Sequence, residues 1–139
     1  TRCVREFAVR GLLGDRDVTT LVAVKDLGEA TPSYEKTLGL TKVGEDPGCV
    51  QFRSGASTFI VYESETAGTN KATTAAWHVE DVGETVRELK AKGVDSFQQY
   101  DNLPGVKRDG DIHAAGTFTI AWFQDPTGNI FEINNGVPA

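Results

Sequence analysis

Residues 19–29 read TTLVAVKDLGE, and residues 74–84 return as TAAWHVEDVGE. At a constant offset of 55, Thr19 pairs with Thr74, Val24 with Val79, Asp26 with Asp81, Gly28 with Gly83 and Glu29 with Glu84, each an identity. Internal repetition constrains a fold strongly, because one such unit cannot bury its own apolar face and must stack on its copy. The chain of 139 residues has room for two copies in one domain.

Each copy opens with an apolar run of β-formers, which predicts a strand. An Asp follows, placed to cap a helix by accepting backbone N–H bonds. The second helix is predicted over Val82 to Lys92, with Val82, Val86 and Leu89 at helical spacing and Gly93 as its stop. The first helix runs towards Gly39. Its Pro32 leaves two options: a late start with Thr31 as cap and Pro32 in the first turn, or a kink.

Further strands follow each helix, and the last two pair as a hairpin in both copies. QFRSGASTFIVYE (51–63) aligns with WFQDPTGNIFEIN (122–134), setting Phe52 against Phe123 and Val61 against Glu132 at an offset of 71. The second copy therefore holds sixteen more residues, which fall in FQQYDNLPGVKRDGDIHAAG (97–116). Its Gly, Pro and Asp read as a loop. The predicted fold is α+β, with two βαβββ repeats at about 18–65 and 73–135 inside a domain spanning 18–139. Residues 1–17 form an extension outside the repeat, where Val4, Phe7, Ala8 and Leu12 could make an apolar helical stripe.

Net charge is −6, so no basic face is predicted to hold nucleic acid. An acidic surface favours a neutral or cationic small ligand. No apolar run reaches the ~20 residues that span a bilayer, and the start shows no basic-then-apolar export pattern. A cytoplasmic protein is expected. Cys3 and Cys49 match no zinc or redox spacing and read as two ordinary buried thiols. No Gly-rich phosphate loop, Ser-His-Asp order or catalytic-cysteine signature is present.

Four segments carry a family resemblance. They are VAVKDLGEATPSYEKTLGL (22–40), its echo VEDVGETVRELKAKGV (79–94), the terminal AWFQDPTGNIFEI (121–133), and YDNLPGVK (100–107). Together the chain resembles the vicinal-oxygen-chelate superfamily of glyoxalases, bleomycin-resistance proteins and extradiol dioxygenases. The resemblance implies curved mixed sheets around a cupped cavity, and a homodimer. In metal-using members, ligands enter that cavity from four strand positions. Two lie seven residues before the Asp of each first strand, here Thr19 and Thr74. The other two lie on each final strand, where the internal alignment gives Val61 and Glu132.

Divalent cations of this kind want imidazoles or carboxylates. Two hydroxyls, one alkyl group and one carboxylate fall short, so no metal and no other cofactor is predicted. Glu132 stands out as the group able to pair with a cationic ligand or to act as a general base. His78 shares the parity of Thr74 and so belongs on the same strand face. Its plainer reading is a strand-end histidine near solvent.

Asp109, Asp111 and His113 alternate as D-x-D-x-H. On a strand they would share a face and could hold a cation, but in a Gly-rich insert such polarity is ordinary. The insert itself is a candidate lid over the cavity. Trp77, of opposite parity to Thr74, is expected to pack between helix and sheet, and Trp122 to pack in the core or line the cavity. Asp125-Pro126-Thr127-Gly128-Asn129 reads as a turn without chemistry.

The function expected is metal-independent small-molecule binding, of the bleomycin-resistance type, in a cavity formed by Thr19, Val61, Thr74, His78 and Glu132. The alternatives are a lyase, isomerase or dioxygenase using Glu132 as base or metal ligand, and a non-catalytic dimerisation module.

Overall fold

The computed structural model describes residues 12–136. The stripe expected from Val4, Phe7 and Ala8, and Cys3, lie outside them. Among the described residues no helix is long and apolar enough to cross a membrane.

Two mixed sheets carry the repeats. In the first repeat β1 (Thr20–Val24) lies beside β4 (Ser57–Glu63), followed by β3 (Cys49–Ser54) and β2 (Thr41–Asp46). In the second, β5 (Thr73–His78) lies beside β9 (Ile130–Asn134), followed by β8 (Phe118–Gln124), β7 (Ile112–Ala115) and β6 (Lys107–Asp109). The first strand of each repeat pairs in parallel with the last, and all other pairs are antiparallel. The predicted βαβββ order is thus realised twice, with β6 as an addition. The insert read as a loop contains β6 and β7, so much of it is the edge of the second sheet.

The helices follow their caps. Asp26 accepts from the N–H groups of Gly28 and Glu29 (2.8 and 3.3 Å) and starts α1 (Leu27–Pro32). The late start at Thr31 does not occur. Pro32 lies at the end of α1, and the chain continues as a π-helical turn, Ser33–Thr37, where Leu38 N–H donates to the Ser33 carbonyl at 3.0 Å. Such a wide turn at a proline redirects the following side chains, and here it delivers Tyr34 into the core. Asp81 caps α2 (Val82–Ala91) by accepting from Glu84 N–H at 3.0 Å. Val82, Val86 and Leu89 are buried as their spacing predicts, and Gly93 at φ +100° follows the helix.

Both repeats share one core. Val22, Val24, Phe52, Phe59 and Val61 come from the first sheet, and Ala121, Phe123, Phe131 and Ile133 from the second. Trp77 packs on this inner side, against aromatic residues of both sheets where a place between helix and sheet was expected. It stacks on Phe59 (5.9 Å between centroids), meets Phe131 edge-on (5.3 Å), and donates from Nε1 to Ser54 Oγ at 2.9 Å. Cys49, expected buried, is a free thiol only half covered on β3.

A buried polar network ties the repeats together. The Asp125 carboxylate accepts from Tyr34 Oη (2.5 Å), from the N–H groups of Gly128 and Asn129 (both 2.8 Å), and from Asn129 Nδ2 (2.9 Å). Asn129 Nδ2 also donates to the Ala23 carbonyl of β1 at 2.8 Å. The five residues read as a plain turn are therefore also a clamp. Gly68, in the link between repeats, lies against this turn with φ +80°; a Cβ there would lie 2.5 Å from the Thr127 carbonyl oxygen.

Burial, reinforced by the Asp125 charge and hydrogen bond, pushes the Tyr34 hydroxyl far above the ordinary tyrosine range. A raised value means that the stabilisation is complete below the unfolded value of about 10 and declines as pH rises beyond it. Ultraviolet titration should find one of the three tyrosines ionising only as the protein unfolds in alkali. Tyr34→Phe should remove that behaviour. It should also lower stability in urea by about 1–3 kcal/mol, because a buried carboxylate loses a donor.

Candidate functional site on the outer face of the second sheet

Strand alternation sorts every sheet residue onto the core side or the opposite, outer side. In the second sheet Phe123, Phe131 and Ile133 face the core, so Trp122, Glu132 and Asn134 face outward. Cross-strand pairing extends this row. Ala76 lies opposite Glu132, Glu132 opposite Trp122, Asn134 opposite Ile120, Ile120 opposite His113, and His113 opposite Arg108.

Glu132 is the polar centre of this face. Trp122 Nε1 donates to its Oε1 at 3.0 Å, and Asn134 Nδ2 donates to its Oε2 at 2.7 Å. The carboxylate is thereby held in one orientation, with acceptor capacity left on both oxygens. Beside it Trp122 meets His113 edge-on at 4.8 Å and Tyr100 edge-on at 5.1 Å. His113 is fully buried; its Nε2 accepts from Tyr100 N–H at 2.9 Å, and its Nδ1 has no partner.

The sequence-derived candidates separate on this map. Glu132 and His78 lie on the outer face, His78 exposed at the end of β5. Thr74 is half-buried at a register slip between Thr73 and Ala75. Thr19 is exposed, just ahead of β1 on the other sheet. Val61 corrects the alignment: it is fully buried in the core. The spacing from Phe52 to its partner Phe59 is one residue shorter than from Phe123 to its partner Phe131. That extra residue, in the Asp125–Asn129 turn, shifts the match for Glu132 from Val61 to Ile60. Gln51 and Tyr62 likewise match Trp122 and Asn134.

The D-x-D-x-H residues do not converge. Asp109 is exposed on β6, Asp111 pairs with Lys90 Nζ at 2.5 Å and accepts from Gln99, and His113 is buried on the outer face against Tyr100 and Trp122. Lys90 and the Gln99 amide hold the Asp111 carboxyl below the usual carboxylate range, and Arg108 does the same for Asp101.

Residues matching the family's four ligand positions are then two threonines, an isoleucine and one carboxylate already bonded to an indole and an amide. This donor set does not fit a divalent cation. Among the described residues no group of three or more His, Cys, Asp or Glu converges.

Apart from the 99–106 segment, whose Tyr100 lies on Trp122, the outer faces of both sheets stay open in a single chain. Leu21 is 59% exposed and Tyr62 38% on the first, and Phe118 is 39% exposed on the second. A crevice of 710 Å³ lies elsewhere, between the π-helical turn and the 125–128 turn. It includes Asp125, whose oxygens are taken up by the clamp. Asn134, Trp122, Tyr100 and His113 were not grouped by sequence reasoning. The alternation around Glu132 points to Asn134 and, once the hairpin register is known, to Trp122. Nothing local signals Tyr100.

With this geometry in place, comparison assigns the class. The profile of the Glyoxalase/Bleomycin resistance protein/Dioxygenase superfamily matches residues 18–133. The chain belongs to that superfamily. No curated protein matches it in sequence. Similar solved structures include the fosfomycin resistance protein FosX of Listeria monocytogenes with Mn(II) and sulfate. It has a TM-score of 0.64 and 17% identity, covering 88% of this chain and 91% of FosX. A bleomycin-binding protein complexed with bleomycin gives 0.62 and 16%, covering 87% and 98%. The antibiotic-binding protein TnmS3 of Streptomyces sp. CB03234 gives 0.59 and 20%, covering 86% and 96%. At these identities the likeness defines the fold.

Because the Asp111 value is depressed, the stabilisation from its Lys90 pair is present above the unfolded carboxylate value of about 4 and fades as pH falls through the folded one. A double-mutant cycle on Lys90 and Asp111 should give a coupling below about 1 kcal/mol near neutrality, vanishing in acid, since Lys90 is half exposed.

Proposed function

We infer that this protein binds a cationic, partly aromatic small molecule on the outer face around Glu132, without a metal ion. The observation that carries this reading is the carboxylate fixed by Trp122 and Asn134 at the edge of an aromatic group. An oriented acceptor beside indole and phenol rings suits a positively charged group attached to a flat one. Thr74 and His78 supply further polar contacts on the same sheet. The net charge of −6 adds attraction for cations.

An open face buries too little of a ligand for tight binding, since small-molecule sites usually enclose most of their occupant. A second copy of the chain would close the cup. The outer face of the first sheet, where Leu21, Ile60 and Tyr62 stand among Gln51 and Arg53, would then cover the polar outer face of the second. Thr19 would enter the site from the partner copy. The bleomycin complex of a similar fold and the antibiotic-binding TnmS3 are consistent with drug-like ligands for such a face. FosX was crystallised with Mn(II), but the donor chemistry here differs as described above.

Protein purified without chelators should carry no stoichiometric metal by elemental analysis, and zinc, nickel, manganese and iron(II) should give no saturable calorimetric binding. Tight binding of one of them, lost in Glu132→Gln, would overturn the metal-free reading. In a panel of basic aromatic compounds that includes bleomycin, a binder should be found by tryptophan fluorescence. Glu132→Gln should weaken it about ten- to a hundredfold, the scale of a charge-assisted hydrogen bond. Sedimentation analysis should give a dimer, and Leu21→Asp should shift it towards monomer.

A further inference from the structure

We propose that the segment 99–106 is a pH-sensitive cover over the outer face of the second sheet, latched by His113. This deepens the ligand-face reading, on which its functional consequence rests; the latch itself does not depend on any ligand.

Three contacts hold the segment down. Tyr100 N–H donates to His113 Nε2 at 2.9 Å, Asp101 accepts from Arg108 Nε at 2.7 Å, and Gln99 Nε2 donates to Asp111 at 3.1 Å. The first is part-buried, and the other two are exposed. Most of the segment is exposed, from Asp101 through Gly105. Its one inward ring, Tyr100, rests on Trp122, the residue that donates to Glu132. Lifting the segment would uncover the indole beside the carboxylate.

The latch has a specific chemical weakness. To accept from Tyr100, Nε2 must keep its lone pair, so the neutral ring carries its proton on Nδ1. That Nδ1 is buried and bonded to nothing. A buried donor without a partner is costly, and opening to water would satisfy it. Protonation removes the lone pair as well. An imidazolium has two donors and no acceptor, so Nε2–H would oppose Tyr100 N–H directly. The closed state has no room for the added proton, and solvent supplies both the proton and the missing partners once the segment lifts.

Other charges around the ring bear on the balance. Arg108, opposite on β6, opposes protonation. Asp101 on the segment favours it, as do Asp111 at the β6–β7 turn, itself paired with Lys90 of α2, and Glu132 on β9 behind Trp122. Asp101 also pairs with Arg108, so opening frees the arginine and the aspartate together. Lys107 and Asp109 flank Arg108 on β6 and fall on the opposite side by alternation.

The test is amide hydrogen exchange by NMR on the full chain, read as protection of the Tyr100 amide corrected for intrinsic exchange. From about pH 7.5 to about pH 5 protection should fall roughly tenfold. Long-range 15N–1H spectra at the upper pH should place the His113 proton on Nδ1. His113→Gln, neutral at both ends, should flatten the dependence. Asp101→Asn should lower protection at all pH values while leaving its pH dependence in place. Unchanged protection in the native protein, persistence of the dependence in His113→Gln, or a protonated His113 with Tyr100 still protected would each overturn the latch. Tetramethylammonium then probes the uncovered face through the Trp122 indole resonance. A response at low pH supports both readings. A released latch with no response sustains the latch and sinks the cation-binding face.

Discussion

A single buried carboxylate organises this molecule. Asp125 collects four hydrogen bonds, one from Tyr34 in the first repeat and three from its own turn in the second. Removing a charge from water is tolerable only when donors replace the lost hydration, so each part of this arrangement requires the others. The π-helical turn after Pro32 places Tyr34. The turn from Asp125 to Asn129 supplies the backbone donors. Asn129 then reaches across to β1 and fixes the two sheets' inner sides against each other. The aromatic core of Phe52, Phe59, Phe123 and Phe131 fills the space so defined.

Once the inner sides are committed to one core, the outer sides follow by alternation alone. The second sheet presents Trp122, Glu132 and Asn134 there, and the first presents Gln51, Ile60 and Tyr62 at the matching places. Duplication has thus produced two equivalent surfaces with opposite chemistry, one centred on a carboxylate and the other on an alkyl chain. That contrast leaves a polar face centred on Glu132 on the second repeat and a more alkyl-rich face around Ile60 on the first.

Much of this was legible in the sequence because repetition and periodicity are local signals. The identities from Thr19 to Glu29 exposed the duplication, Asp26 and Asp81 marked both helix starts, and the parity of Trp77 placed it in the core. The parity of His78 set it on the strand face opposite Trp77. What was misread depended on contacts distant in sequence. Val61 was set opposite Glu132 because a hairpin alignment without gaps cannot reveal one added residue in a turn. Asp125 read as punctuation because its partner Tyr34 lies 91 positions away. His113 was grouped with Asp109 and Asp111 by spacing, yet the Gly110–Asp111 turn reverses the chain between them. The insert read as a loop because its short strands carry charges and glycines typical of an edge.

The added residue in the Asp125–Asn129 turn has a wider meaning. A chain made of two similar halves risks exchanging them, with either hairpin docking where the other belongs. Here the first hairpin turns on Gly55 and Ala56, and this turn carries no carboxylate to meet Tyr34. The second turns on five residues that include one. Tyr34 therefore acts as a lock that accepts one hairpin and rejects its twin. The asymmetry gives a duplicated sequence a single way to assemble, and it does so at the level of folding specificity rather than of ligand recognition.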